Sequence, residues 1–184
     1  MEQQLPWLCQ GDIFRGIPVL VPRVLADAMV VAVAVELGPA VLVTHGCAMD
    51  KQNRSGLPRV ERLNFLPLLS LDATDPNRRA LLKRRTLEPY EALYVGPVAE
   101  FGESHCVLSE MYPLPAAYFR PSIRSFEGHP SAGSDEQHYL VPTVNDTRIG
   151  RIDDPVLQLL HDKLNAHWTR RLPDENGDQA QQEG

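Results

Sequence analysis

The sequence is short of cysteine. Cys9, Cys47 and Cys106 are the only three in 184 residues. They are too few and too scattered for a disulfide framework, so we expect a reducing, cytoplasmic setting. Positive charge is also scarce. Lys and Arg total 18 against 24 Asp and Glu, a formal net charge of −6. A protein that grips a nucleic-acid backbone along its length carries a basic face. The acidic total argues against that class and leaves room only for a local basic patch. Long apolar runs are missing too. The most apolar stretch, 28–43, is interrupted by Glu36, Gly38 and Pro39 and is too short to span a bilayer. We expect no membrane association. The opening "MEQQLPWLCQGD" has neither the basic start nor the apolar centre of a signal peptide, and none is expected. Extended helices are limited by 16 prolines spread along the chain.

Enough is present for a folded core. Apolar residues make up 43% and charged residues 23%, the balance of a globular chain rather than a disordered one. The length suits one domain, which we place at 1–172, with loop insertions at 50–59 and 126–137. The tail 173–184 is polar, has no core residues, and reads as disordered.

The dominant local pattern is that of strands. "GDIFRGIPVL" (11–20) reads as a first strand. "AMVVAVAVEL" (28–37) alternates, with Val31, Val33, Val35 and Leu37 on one face and Ala32, Ala34 and Glu36 on the other. That pattern predicts one thoroughly buried face. Gly38-Pro39 is a turn signal, after which "AVLVTH" reads as a separate antiparallel strand. "VERLNFLPLLSL" (60–71), "ALYVGPV" (92–98) and "HCVLSEMYPL" (105–114) add further strands, with Pro67 requiring an edge or a bulge. "HYLVPTV" (138–144) reads as a short strand or extended segment.

Two helices are predicted. Asp75 and Pro76 are suited to cap and open a short one reaching about Arg85. A longer C-terminal helix begins at Asp153 or Asp154 with Pro155. Leu157, Leu160, Leu164 and Trp168 form its apolar stripe, with Val156 widening it, and Arg170 and Arg171 stand near its end. Trp7 and Trp168 read as core or interface residues. The class is therefore mainly β with helices, α+β.

Candidate chemistry gathers at "AVLVTHGCAMDK" (40–51). On a continued strand His45 and Cys47 share a face. Imidazole and thiol together could activate a thiolate or supply two ligands to zinc, with His105 and Cys106 as further partners. Asp50 could orient His45. The plainer reading makes Cys47 a small buried residue, His45 a strand-end cap and Asp50 a turn former, and it is the one we expect. No cofactor or metal is assigned. His105 lies near Glu103 and Glu110, an arrangement that could raise its pKa for general-base work, although ordinary surface polarity explains these residues as well. Arg78, Arg79, Lys83, Arg84 and Arg85 place five positive charges within eight residues of an acidic chain. They are the candidate phosphate contacts, set against a solvated helix face. No interleaved aromatic platform for a single strand accompanies them.

Four stretches share an order with a known family: "GDIF" (11–14), "GPAVLVTH" (38–45), "GESHCVLSEMYPL" (102–114) and "RIGRIDDPVLQLLHDKL" (148–164). Together they resemble the opening strand, central strand, later strand and closing helix of the PemK/MazF family. The resemblance implies a small SH3-like barrel with a C-terminal helix, a homodimer, and a toxin–antitoxin, phage or anti-phage setting. It also implies selective, metal-independent cleavage of single-stranded RNA, served in the family by an arginine on the central strand and a threonine on the later one. Here Gly38 stands where that arginine is expected, before Pro39, and Met111–Ala116 holds neither an arginine nor a threonine. The resemblance thus implies a scaffold that binds RNA or a protein partner without the standard nuclease site. One alternative is a ribonuclease with a relocated site using His45 or His105 and the basic cluster. Another is a thiol- or zinc-dependent enzyme centred on His45, Cys47 and Asp50.

Overall fold

The strands of this chain alternate between two apolar faces rather than an apolar and a polar one. In the computed structural model, which describes residues 7–24, 31–54, 57–123, 138–141 and 148–169, that pattern becomes a sheet whose central part is covered on both sides. Its strands are β1 (Asp12–Val24), β2 (Val31–Leu42), β3 (Arg62–Pro67), β7 (Tyr112–Pro115) and β10 (Arg148–Arg151), ordered β10-β1-β2-β3-β7 with antiparallel pairing. A second sheet, β4-β6-β5, contains β4 (Leu69–Ser70), β5 (Ala92–Val98) and β6 (Gly102–Val107). A hairpin-like pair joins β8 (Arg120–Ile123) to β9 (His138–Val141). Helices are α1 (Gly46–Met49), α2 (Pro76–Leu82) and α3 (Asp154–Thr169). The α+β, mainly β class is as expected from sequence.

One face of the five-stranded sheet carries Phe14, Ala40, Leu42, Leu63 and Phe65, covered by Met49, Phe119 and Leu140. Phe65 stacks on Phe119 with centroids 5.9 Å apart, and Phe14 meets both rings. The opposite face carries Ile13, Val41, Val43 and Leu66. It packs on Leu93, Val95 and Cys106 of the second sheet and on Val156 and Leu160 of α3. Each such fully buried aliphatic side chain contributes about 1.5–3 kcal/mol of transfer free energy. The far side of the second sheet is closed by α2, where Leu71, Leu82, Ala92 and Tyr94 form a smaller cluster.

Gly38-Pro39 is not a turn. β2 runs straight through it, pairing with β1 from Val31 to Val41. The register slips between Phe14 and Ile17, where Arg15 and Gly16 face a single residue, and Gly16 takes φ +71°. Pro39 has no N–H to give the ladder, and the bulge opposite it removes the need. The predicted buried face of 28–37 also fails where it can be described. Val35 is 64% and Leu37 75% exposed. They lie beyond the region where β3 covers β2, which is confined to Ala40–Leu42. The "HCVLSEMYPL" segment is likewise divided. A 3-10 turn at Leu108–Glu110 carries the chain from β6 in one sheet to β7 in the other. Pro67 ends β3, and Leu68 makes the same crossing between sheets, its N–H bonding to Pro39 O at 2.9 Å.

The helices start where predicted. Asp75 accepts from the Asn77 and Arg78 amides, and Asp153 from the Val156 amide. α2 stops at Leu82, short of Arg85. On α3 the buried positions are Val156, Leu160 and Lys163, so Trp168 falls off the stripe and is 70% exposed. Trp7 is buried as expected. Lys163 takes a core position because its ammonium donates to the carbonyls of Leu87 (2.8 Å) and Pro89 (2.6 Å). Its burial lowers its pKa. Asp12 and Arg148 form a buried ion pair at 3.1 Å that ties β1 to β10. Asp12 also accepts from the Cys9 amide, and Arg148 donates to Trp7 O. Burial still raises the Asp12 pKa above the usual carboxylate range. The insertion 126–137, the tail 173–184, and Arg170 and Arg171 lie outside the described residues.

Candidate functional site

β2 ends at Leu42, and the next residues set up a cleft. Val43 still faces the core. Thr44 turns its hydroxyl to accept the Asn64 amide at 2.6 Å, which ends the pairing with β3. His45 then caps the one-turn helix α1, its Nδ1 accepting the Cys47 amide at 3.1 Å. His45 and Cys47 therefore do not share the face of a continued strand. Cys47 is exposed, not buried, and Asp50 ends α1, its amide donating to Gly46 O. His45 is expected to cap a strand end; it caps the start of α1 instead.

The ring of His45 lies 5.7 Å from that of His161 on α3, centroid to centroid. Both rings line a cleft of about 450 Å³, lined also by Gln10, Gln158, Asp162 and Asn165, with apolar walls from Val43 and Leu164. That volume lies within the ~300–1,000 Å³ usual for small-molecule sites. Gln10, 8% exposed, links the two ends of the cleft. Its amide nitrogen donates to Val43 O at 2.9 Å and its oxygen lies 2.9 Å from His161 Nε2. Gln158 donates to Asp162 at 3.1 Å. No Lys or Arg is among the described residues that line it.

Gln10 and His161 were not singled out in the sequence. They stand 151 positions apart, and no local spacing connects them. A faint signal exists at His161. It lies four residues after Leu157 and three before Leu164, in line with the half-buried flank of α3.

His105 and Cys106 do not join this cleft. Successive residues of β6 face opposite sides of the second sheet. Cys106 is buried in the core beneath α3, and burial pushes its thiol pKa well up. Cys47 and Cys106 thus share no pocket. Among the described residues no group of three or more His, Cys, Asp or Glu side chains is placed to hold a metal ion. The His45 cap also opposes zinc at that ring. With Nδ1 occupied as an acceptor, Nε2 carries the hydrogen of the neutral imidazole and cannot ligate without breaking the cap.

His105 faces α2. It is buried, its Nδ1 has no hydrogen-bond partner, and burial, assisted by the Arg78 charge, lowers its pKa. The neighbouring acids do not raise it, which corrects the sequence expectation. Glu103 is engaged elsewhere, accepting from the Tyr94 hydroxyl and pairing with Lys83 at 3.4 Å. The Tyr94 bond, more than Lys83, lowers the Glu103 pKa. Burial and Glu103 push the Tyr94 phenol up to about 12.

The predicted basic cluster is largely matched by acids. Arg78 pairs with Glu91 at 3.8 Å, Arg79 with Asp72 at 3.7 Å, and Arg85 with Asp153 at 3.7 Å. Arg85 also lies over the Tyr94 ring, 5.4 Å from its centroid. Arg84 is exposed and takes part in none of these pairs.

Fold and site together define a mainly β domain with a polar, histidine-flanked cleft where its central strand meets its C-terminal helix. No family model and no curated protein matches the chain. Among the described residues no helix is long and apolar enough to cross a membrane.

Proposed function

We propose that this chain is a divergent PemK/MazF-like, SH3-like barrel that binds RNA, without the standard nuclease site. The observation that carries this reading is where three of the four resembling segments lie, the fourth (102–114) being divided between β6 and β7 in different sheets. "GDIF" opens β1, "GPAVLVTH" closes β2, and "RIGRIDDPVLQLLHDKL" forms β10 and α3. These three strands are adjacent in one sheet, and the residues that follow β2 meet the middle of α3 at the His45–His161 cleft.

Binding is favoured over a relocated nuclease by charge. A phosphorane needs a cation beside it. Among its described lining residues the cleft has no Lys or Arg and includes the Asp162 carboxylate. The basic residues at 78–85, with Arg84 outside the ion pairs, are the candidate backbone contacts. The test is single-stranded RNA binding by fluorescence anisotropy at low salt, repeated at higher salt and with Arg84→Ala, beside a cleavage assay with and without chelator. Binding that weakens with salt, with no cleavage, is expected. Absence of binding at the lowest salt sinks the reading.

A second reading gives the same scaffold a protein partner, a second copy of the chain being the simplest. The exposed Val35 and Leu37 favour it. Beyond its pairing with β1, described residues cover β2 only over Ala40–Leu42. Sedimentation of the wild type against Val35→Lys and Leu37→Lys tests it. A monomeric wild type excludes the homodimer.

A further inference from the structure

The hydrogen bonds around the cleft settle where its protons lie. The Val43 carbonyl can only accept, so the Gln10 atom 2.9 Å from it is the amide nitrogen. The other end of that amide is then its carbonyl oxygen, which also can only accept. His161 Nε2, 2.9 Å from it, must carry the hydrogen. In neutral His161 the lone pair is therefore on Nδ1. His45 is held from the opposite end. Its Nδ1 accepts the Cys47 amide hydrogen, so its own hydrogen is on Nε2. The two rings are the same tautomer anchored by different atoms. What each leaves unanchored is opposite in kind: an acceptor on His161 and a donor on His45.

The surroundings decide what such a pair suits. Gln10, which sets the His161 tautomer, is almost wholly buried and cannot easily turn over. No Lys or Arg is among the cleft's described lining residues, and Asp162 is one of them. An anion would be brought beside a like charge with no Lys or Arg to offset its desolvation. A neutral, flat group with a donor beside an acceptor meets the two imidazoles without that cost, and Val43 and Leu164 supply apolar wall for its faces.

We propose that the His45–His161 cleft is a nucleobase pocket, in which His161 Nδ1 accepts a ring N–H and His45 Nε2–H donates to the adjacent carbonyl oxygen, the edge that uracil and guanine present. This assignment rests on the RNA-binding reading, which selects a nucleobase among neutral groups with such an edge. Phosphate contacts are left to residues outside the cleft, and the base supplies the selectivity.

The experiment is an imidazole ¹⁵N spectrum of the full chain at about pH 8, where a free imidazole is neutral, followed by titration with uridine and with 3-methyluridine. Both rings are expected to show an unprotonated Nδ1. Uridine should shift the signals of both with one shared dissociation constant. 3-Methyluridine has lost the ring N–H and should bind about tenfold more weakly. His161→Phe should weaken uridine binding by a similar factor. His45→Asn keeps a capping oxygen while removing the imidazole donor, and should do the same if the first variant folds poorly. Equal binding of the two nucleosides, or no shift of either ring with excess uridine, overturns the pocket. Oligonucleotide binding that leaves both rings unmoved also overturns it, while the RNA-binding reading stands. Uridine binding without oligonucleotide binding supports the pocket and overturns that broader reading instead.

Discussion

Two histidine–cysteine pairs sit under opposite conditions, one past the end of a strand and one inside a strand. His45 and Cys47 stand where β2 has just ended, on and beside a one-turn helix, with the thiol exposed and the imidazole held by a backbone amide. His105 and Cys106 stand inside β6, where pairing with β4 and β5 continues on both sides. There the strand sends one side chain to each face, so imidazole and thiol are separated by the sheet itself. The difference teaches that residue identity alone does not make a site. A strand end leaves side chains near water and near other elements, as His45 meets His161. A strand interior delivers them to whatever layer covers that face.

The sharpest way to break this comparison is a charge at each cysteine. Cys106→Asp places a carboxylate among Val41, Leu93 and Leu160 and is expected to cost about 3–5 kcal/mol. Cys47→Asp, at an exposed position, should stay within about 0.5 kcal/mol. Urea midpoints measure both. Equal losses would mean that the two cysteines are not differently placed.

A second test uses the buried imidazole. Burial lowers the His105 pKa below the ordinary 6.5, with Arg78 adding to the effect. In the window between the folded value and 6.5 the unfolded chain binds more protons than the folded one, so stability rises with pH. The contribution is fully present above about 6.5 and is lost as pH falls towards the folded value. Urea midpoints taken across this range should drop on acidification, and His105→Phe should remove that part of the slope. A slope unchanged by the substitution would show that His105 is not held away from water.

Much of the sheet was legible because apolar, valine-containing runs mark β1, β2 and β5. The class, the capping of α2 and α3 by Asp75 and Asp153, and the capping role of His45 all follow from local chemistry. What was not legible depends on residues far away in sequence. Gly38-Pro39 offers the same dipeptide to a turn and to a strand opposite a bulge, and only Arg15 and Gly16 decide between them. Trp168 continues the heptad-like leucine stripe, but Lys163 takes the buried position because the Leu87 and Pro89 carbonyls await it. The partnership of Gln10 with His161 joins the two ends of the chain and has no spacing to announce it.

The cap itself gives a smaller prediction. His45→Ala removes the acceptor for the Cys47 amide and should cost about 0.5–1 kcal/mol. His45→Asn restores a capping oxygen and should recover most of that loss, even though the nucleoside site is damaged. The same substitution thereby separates the structural role of His45 from its role in the cleft. Thermal melts read the first and nucleoside titration the second. If Asn and Ala destabilise equally, the amide bond is not what holds the ring.

The smallest expected effect lies above His105, on the surface of α2. Lys83 and Glu103 are 3.4 Å apart, and both are more than a third exposed. An exposed pair of this kind contributes little to stability and is screened by salt. Glu103 differs from an ordinary surface acid in also accepting the Tyr94 hydroxyl. A double-mutant cycle with Lys83→Ala and Glu103→Gln isolates the pair, and one with Tyr94→Phe and Glu103→Gln isolates the hydroxyl contact. The first coupling should shrink on adding salt, because its charges face water. The second should shrink less, because the Tyr94 hydroxyl is a neutral donor and its ring is buried with Leu82 and Ala92. If both couplings vanish with salt, then water reaches the face of the second sheet that covers His105. The two histidines would then differ less than their burial implies.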